Sequence, residues 1–354
     1  MTLTIIAWPK EKNKKNNPFQ HLLYEAIEKR ELLLVKEFNP FIVLTTKGQK
    51  VLHIHWPDVF LATAKGWKFW TKIAYLRVLF WIARILKTPI IWTAHNLKRP
   101  GQRNSDILDS VFWPWFSKRI DGIIYMTASS KRNGEELFPN WRDIPNVIIP
   151  HGHYGPIIDT HHLKPHTNSD DKPKLLFFGS ITKYKNANKL LSAFLNLPEG
   201  NAILNIKGKM SSMSPDTLLL QKLEKLPCNR KSEVNFDNRF LSDEELIQSI
   251  QESEIIIFPY SDVLNSGAAI FALSVGRPIL ASDTPLFREL QQQVGSEWVQ
   301  LINNELDAPQ LSLAIKHAKT LKKSKASPDL SKFEWDLIAE QTIAFYQHVL
   351  AEKT

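Results

Sequence analysis

The chain has one cysteine, Cys228, in 354 residues. A lone thiol cannot close an internal disulfide, which fits a reducing cytoplasm rather than a disulfide-stapled fold. No stretch reaches the roughly 18 uninterrupted apolar residues of a membrane-spanning helix. The opening run Met1-Thr-Leu-Thr-Ile-Ile-Ala-Trp-Pro9 is of strand length, and its lysines follow rather than precede it. It reads as a strand and not as a signal peptide. No Asp-x-Asp occurs anywhere in the chain, so closely spaced aspartates for a divalent metal are missing.

What is present is a soluble globular composition, 43% hydrophobic and 23% charged, long enough for two domains each with a full core. The net charge of +9 is unevenly placed. Residues 1–165 hold 24 Lys and Arg against 13 Asp and Glu, and nine of the eleven tryptophans; residues 166–354 hold 21 against 23. A basic, aromatic half joined to a nearly neutral half implies two domains with different partners. Strand patterns fall at 2–8, 51–56, 89–94, 121–127 and 146–150, alternating with helical patterns near 19–30, 65–87, 105–118 and 130–138. Residues 156–173 are polar, contain three prolines and read as a linker. A second alternating series follows, with strands at 174–179, 202–207, 233–237 and 255–258. These patterns predict an α/β protein of two doubly wound, mostly parallel sheets. The expected boundaries are 1–165, 166–330 and a helix in 331–354 that packs back on the first domain. Two such domains leave a cleft, and ligands of open α/β sheets bind at the carboxyl ends of the strands.

The most informative segment runs from Phe258-Pro-Tyr-Ser through Asn265-Ser-Gly267 to Gly276-Arg-Pro-Ile-Leu-Ala281. A buried strand gives way to a polar turn, a small apolar helix from about Ser266, and a second strand. Free amides at that helix start, its dipole, and a glycine permitting close approach together suit a phosphate-bearing ligand.

Several strings now add up. They are Asn17-Pro-Phe-Gln-His-Leu-Leu-Tyr24, Val51-Leu-His-Ile-His-Trp-Pro-Asp58, Thr93-Ala-His-Asn-Leu97 and His151-Gly-His-Tyr154, followed by Phe177-Phe-Gly-Ser-Ile-Thr-Lys-Tyr-Lys185, the Pro259–Ala281 block and Val294-Gly-Ser-Glu-Trp298. In this order and spacing the chain resembles glycosyltransferases of the two-domain B fold (GT-B). It is most similar to the bacterial exopolysaccharide β-mannosyltransferases of the xanthan-assembly type. The resemblance implies two Rossmann-like domains facing across a cleft and transfer of mannose from GDP-mannose. The larger retaining family carries two glutamates eight positions apart beside the donor; here those places hold Val263 and Phe271. The Asn-Ser-Gly version belongs to the inverting mannosyltransferases.

With no aspartate pair, fixed positive groups must meet the charge of a leaving diphosphate. The candidates are Lys185, six residues after the strand-end Gly179, and the amides of Ser266 and Gly267, with Asn265 beside them. Lys209, after the strand-end Gly208, is a further candidate. The alternatives are a solvated lysine loop and a glycine that only permits helix packing. His151 and His153, beside the linker, are placed at the donor; a metal site built with His161, His162 and His166 lacks cysteine and defined spacing. Inverting transfer needs a base for the acceptor hydroxyl. Asp58 and His95, each past a strand end, are the candidates, although Asp58 could instead cap a helix. His53 reads as a structural histidine, and His55 stays open.

Residues 65–87 project with Trp67, Trp70, Ala74, Val78, Trp81, Ile82 and Ile85 on one face. Lys65, Lys68, Lys72, Arg77, Arg84 and Lys87 lie opposite, mixed with Phe69, Ile73, Leu76 and Phe80. This fits a helix in a bilayer interface, with Trp67, Lys68, Lys72, Arg77, Phe80 and Arg84 as membrane or acceptor contacts; the alternative is a core helix with snorkelling cations. The expectation is a metal-independent inverting hexosyltransferase with no cofactor, peripheral on the cytoplasmic face of an anionic membrane. It would take a nucleotide sugar and a lipid-linked glycan, and no nucleic acid. The alternatives are a sugar-nucleotide-modifying enzyme such as an epimerase, and a non-catalytic sugar-binding homologue.

Overall fold

A computed structural model describes residues 2–353 apart from 13, 15, 16, 31, 32, 63, 65, 98–104, 159–171 and 262. Lys65, the histidines at 161, 162 and 166, most of the expected linker and the expected 165/166 boundary lie outside the described residues. The chain forms two compact units. Unit 1 joins Met1–Gly152 to Lys332–Thr354, and unit 2 is His153–Ser331.

Unit 1 is built on six parallel strands: β1 (Leu3–Trp8), β2 (Leu33–Glu37), β3 (Lys50–Ile54), β4 (Ile90–Ala94), β5 (Gly122–Tyr125) and β6 (Asn146–Ile148). They lie in the order β2-β1-β3-β4-β5-β6. Unit 2 repeats the plan with β7 (Lys174–Phe178), β8 (Ile203–Lys207), β9 (Val234–Asp237), β10 (Ile255–Phe258), β11 (Ile279–Ser282) and β12 (Val299–Ile302), in the order β12-β11-β10-β7-β8-β9. The central strands β3, β4 and β10 are buried throughout. That is why they read as apolar runs: helices cover both faces of a parallel sheet. In unit 2 the chain walks outward from β7 to β9 and then returns to the other side of β7 as β10. The turns leaving β7 and β10 therefore diverge, and the crevice at their carboxyl ends is the place where such sheets bind ligands.

The Trp335–Ala351 helix belongs to unit 1, and two glycines let it come close. A Cβ on Gly122 would lie 3.0 Å from Val349 and 3.1 Å from Phe345; one on Gly152 would lie 2.4 Å from the Trp335 ring.

The Trp67–Ile85 helix departs from its projection. Phe69, Ile73, Leu76 and Phe80, expected among the cations, form the core face with Leu79 and Ala83. Trp67, Trp70, Val78, Trp81 and Ile85 point outward, Trp67 with 71% and Trp81 with 65% of their surface exposed. The helix is apolar on two sides, and a projection cannot say which side meets the sheet. Phe80 is not on the outward face: it is 4% exposed, with ring centroids 5.0 Å from Trp115 and 5.8 Å from Phe116. Lys72 also turns inward. Its ammonium donates to the Phe60 carbonyl at 2.5 Å and lies 4.4 Å from that ring's centroid. The expected helix at 105–118 is three short pieces, Ser105–Ile107, a π-helical Leu108–Phe112 and Trp113–Phe116.

Candidate active site

Unit 2 carries the residues expected at a phosphate site at the carboxyl ends of β7, β8 and β10. β7 ends in Gly179, whose φ of +103° favours glycine. The ammonium of Lys185 comes in beside it; a Cβ on Gly179 would sit 3.4 Å from Nζ. Lys185 is half-buried and lies 5.1 Å from the Tyr260 ring centroid. It makes no ion pair or side-chain hydrogen bond among the described residues. Burial pushes it down to about 8. A cation held this way is destabilised until an anion arrives. The buried hydroxyls of Tyr260 and Thr182 likewise find no partner among the described residues.

The 182–186 loop is tied to the exit of β10. Asn186, left-handed at φ 54°, donates from Nδ2 to the Pro259 carbonyl at 2.9 Å, and the Ser261 amide donates to the Tyr184 carbonyl at 2.8 Å. Ser266 caps the Gly267–Ser274 helix, its hydroxyl accepting from the Ala269 amide at 3.2 Å. The amides of Gly267 and Ala268 make no hydrogen bond among the described residues, so they supply the unsatisfied donors of a helix start. Asn265 precedes this cap. Lys209 is exposed after β8. Phe271, at one of the two places where retaining enzymes carry glutamate, is buried edge-on against Tyr154 at 4.9 Å.

Unit 1 carries a buried polar network at the carboxyl ends of β3 and β4. His53 Nδ1 lies 2.6 Å from the Tyr346 hydroxyl and 2.9 Å from that of Tyr24, and His53 Nε2 lies 2.7 Å from Thr93 Oγ1. The Tyr24 hydroxyl is also 2.7 Å from His55 Nε2, and His55 Nδ1 is 2.9 Å from His95 Nε2. Burial drives His53 down to about 3 and His55 well below the usual imidazole range, with His53 and His95 adding repulsion. Both are therefore neutral, each with one donor and one acceptor nitrogen.

Proton counting then constrains the order. Among the described residues the Tyr346 hydroxyl has His53 Nδ1 as its partner; with Tyr346 donating there, His53 Nε2–H donates to Thr93. The Tyr24 hydroxyl shares that nitrogen at 2.9 Å, the longer of its two hydroxyl contacts. The Tyr24 hydroxyl and the His55 and His95 rings continue the relay through Nε2 and Nδ1 of His55, one nitrogen of His55 donating and the other accepting.

His95 is buried and stacked on Trp56 at 4.4 Å. Asp58 is buried in the first turn of the Pro57–Ala62 helix. His151 falls in unit 1, its ring 4.8 Å from Phe19 and its Nδ1 donating to the Gly152 carbonyl at 2.8 Å; burial lowers it to about 4 despite that bond. His153 falls in unit 2, where its Nδ1 accepts from the Gly155 amide at 2.9 Å. The structure thus brings Gly179, Lys185, Ser266 and Gly267 to neighbouring strand ends of one unit, and His95 into the network of the other. Sequence reasoning missed Tyr24, Tyr346 and Tyr260. Tyr24 and Tyr260 stood in strings already singled out, but Tyr346 did not. Among the described residues no three His, Cys, Asp or Glu side chains converge as a metal site.

The sucrose-phosphate synthase of Thermosynechococcus elongatus superposes with a TM-score of 0.66, covering 99% of this chain and 100% of that one at 16% identity. The fold is GT-B. A trehalose-phosphate synthase from Burkholderia xenovorans, solved with glucose-6-phosphate, shares the GT-B plan at TM-score 0.66 and 9% identity over 98% of this chain and 100% of its own. Anabaena HepE, solved with UDP-glucose, gives 0.58 at 12% identity over 99% of each chain. By sequence the chain is similar to the GDP-mannose:glycolipid 4-beta-D-mannosyltransferase of Xanthomonas campestris pv. campestris, 25% identical over 353 residues, 99% of this chain and 93% of the relative. The resemblance read from the motifs therefore extends along the whole GT-B chain. No family model matches it.

Proposed function

We propose that this GT-B protein is an inverting, metal-independent glycosyltransferase that moves mannose from GDP-mannose onto a lipid-linked glycan in surface or exopolysaccharide assembly. The observation that carries the reading is Lys185, a half-buried cation that makes no ion pair among the described residues, at the point where the strand order of the unit 2 sheet reverses. As the sugar bond breaks, the leaving diphosphate gains charge. Lys185 and the amides of Gly267 and Ala268 are fixed donors for it, which is how a site stabilises developing charge without reorganising. Phe271 in place of a glutamate favours single displacement over retention. The name of the Xanthomonas relative supports guanosine diphosphate, mannose and a glycolipid acceptor.

Unit 1 supplies the group that takes the acceptor's proton. Asp58 is the base in this reading, and His95 the alternative. The outward apolar face of the Trp67–Ile85 helix, with Lys68, Arg77 and Arg84 beside it, rests on the cytoplasmic face of an anionic membrane, where a lipid-linked acceptor is found. Among the described residues no helix is long and apolar enough to cross a membrane.

The test is incubation of the protein with radiolabelled sugar nucleotides and membrane lipid extract, with EDTA present. Label from GDP-mannose should enter lipid through a new β linkage. Asp58→Asn should cut turnover about 10²-fold with donor affinity unchanged, the usual worth of a positioned base. Near-normal turnover in Asp58→Asn together with loss in His95→Gln would move the base to His95. An α linkage, or activity only with added magnesium or manganese, would overturn the mechanism; no label in lipid from any donor would overturn the function.

A further inference from the structure

We infer that a basic cavity in unit 1 is a binding site for the phosphate of an anionic phospholipid headgroup. The cavity, of about 640 Å³, lies between the end of the Trp67–Ile85 helix, the Trp115–Arg119 turn and Lys353. Five of its lining residues are cationic (Arg77, Arg84, Lys87, Arg119 and Lys353) and one, Asp121, is acidic.

The acidic residue is already engaged. Asp121 pairs with Lys353 and accepts from the Ile90 amide at 2.8 Å. Arg119 sits 5.4 Å from the Trp115 ring centroid and donates to that residue's carbonyl at 3.2 Å, which holds its guanidinium at the rim. Arg77, Arg84 and Lys87 make no ion pair or side-chain hydrogen bond among the described residues. Arg77 and Arg84 are seven positions apart, two helical turns, so they line one face. Cations near a helix C-terminus are explained in part by the helix dipole. That does not explain Arg77, two turns back, or the convergence of cations from three separate segments on one hollow.

The lining also identifies the ligand's other half. Trp81 lines the cavity and is largely exposed, and it continues into the outward row of Ile85, Val78, Trp70 and Trp67. A soluble phosphate or nucleotide would use the cations and leave this row in water. A phospholipid uses both, its phosphate among the arginines and its glycerol and acyl region against the tryptophans. Tryptophan rings at a headgroup boundary and clustered Arg and Lys near an anionic leaflet are the two ingredients of such recognition. The inference rests on the membrane-surface reading of this helix, and no nucleotide sugar enters its assay. Its failure therefore leaves the donor site untouched.

The experiment is cosedimentation of the full chain with vesicles of phosphatidylcholine alone or with phosphatidylglycerol added. Wild type should bind only the second. The triple variant Arg77→Gln, Arg84→Gln, Arg119→Gln should lose affinity about 10²-fold, since each basic group near a charged surface contributes roughly 1 kcal/mol. A control variant with equal charge removed from exposed positions of unit 2 (Lys225→Gln, Lys316→Gln, Lys319→Gln) should lose less than about threefold, because diffuse charge is screened.

Equal losses in the two variants would overturn the cavity and leave only a charged surface. No binding of wild type would overturn both the cavity and the membrane reading. Selective release by inorganic phosphate, against sodium chloride of matched ionic strength, would replace the lipid with a free phosphate and overturn the inference. A lowered thermal midpoint in the triple variant would pass the test to Arg84→Gln and Arg119→Gln singly, each expected to lose about fivefold.

Discussion

Lys185 shows what a single side chain can reveal. Its position after a strand-end glycine was legible in the sequence, because Gly179-Ser-Ile-Thr-Lys-Tyr-Lys185 is local. Its burial on Tyr260 was not, since Tyr260 is brought there by another strand. The same division holds in unit 1. Asp58 and His95 could be proposed from strand ends, whereas the Tyr346 contact to His53 joins residues 293 positions apart. Lys185→Ala should weaken nucleoside diphosphate binding by about 1.5–3 kcal/mol, the scale of a charge-assisted bond, without lowering the thermal midpoint. The pH dependence has a definite sign. With its pKa lowered to about 8, Lys185 is a cation below that pH and increasingly neutral above it. A bound diphosphate raises the pKa, so affinity should fall as pH rises past about 8, with proton uptake on binding in that range. Calorimetry in two buffers of different ionisation heat measures both. Affinity flat across this window would remove Lys185 from the phosphate site.

At the level of elements, the buried strands β1, β3, β4, β5, β7 and β10 announced themselves as apolar runs, and the half-buried β8 and the edge strands β6 and β9 also fall where expected. The edge strands β2 and β12 did not. Each has one sheet neighbour and a mixed burial pattern, but so do β6 and β9, so an edge position by itself does not explain why these two were missed. The helices at Pro285–Val294 and Ala308–Ser324 also went unread, and they complete the unit 2 layer beyond the informative segment. The joint between β7 and β8 was visible only as two strand-end glycines. In the structure Gly208, at φ +145°, lies so close to the Gly179 carbonyl that an added Cβ would come within 1.9 Å of its oxygen. Gly208→Ala should therefore cost at least about 2 kcal/mol and disturb the loop that carries Lys185. Gly276→Ala, with nothing within 4 Å of an added Cβ, should cost only the left-handed backbone penalty of about 1 kcal/mol. Urea unfolding of the two variants checks this; equal losses would show that the close approach is not what demands glycine.

For the whole molecule, acid should act on one unit first. His53, His55 and His151 all lie in unit 1, and burial lowers each. Above the unfolded pKa of about 6.5 they are neutral folded or unfolded and have no effect on stability. Below it the unfolded chain takes up protons that the folded unit refuses. Each histidine then removes about 1.4 kcal/mol per pH unit until its folded pKa is reached. Thermal unfolding should show the unit 1 transition falling between about pH 6.5 and 5 while the unit 2 transition holds. Parallel falls of both transitions would mean that these histidines are not what acid attacks.

The return of the Trp335–Ala351 helix to unit 1 also orders the making of the protein. Unit 2 is one continuous stretch placed between the two parts of unit 1. During synthesis it therefore leaves the ribosome whole while unit 1 still lacks Trp335 and Tyr346. Until they arrive, Gly152 and Phe19 have no indole over them, and His53 Nδ1 lacks its second hydroxyl. The unit begun first is the unit finished last, and a nascent chain passes through a period in which only the enclosed unit is complete.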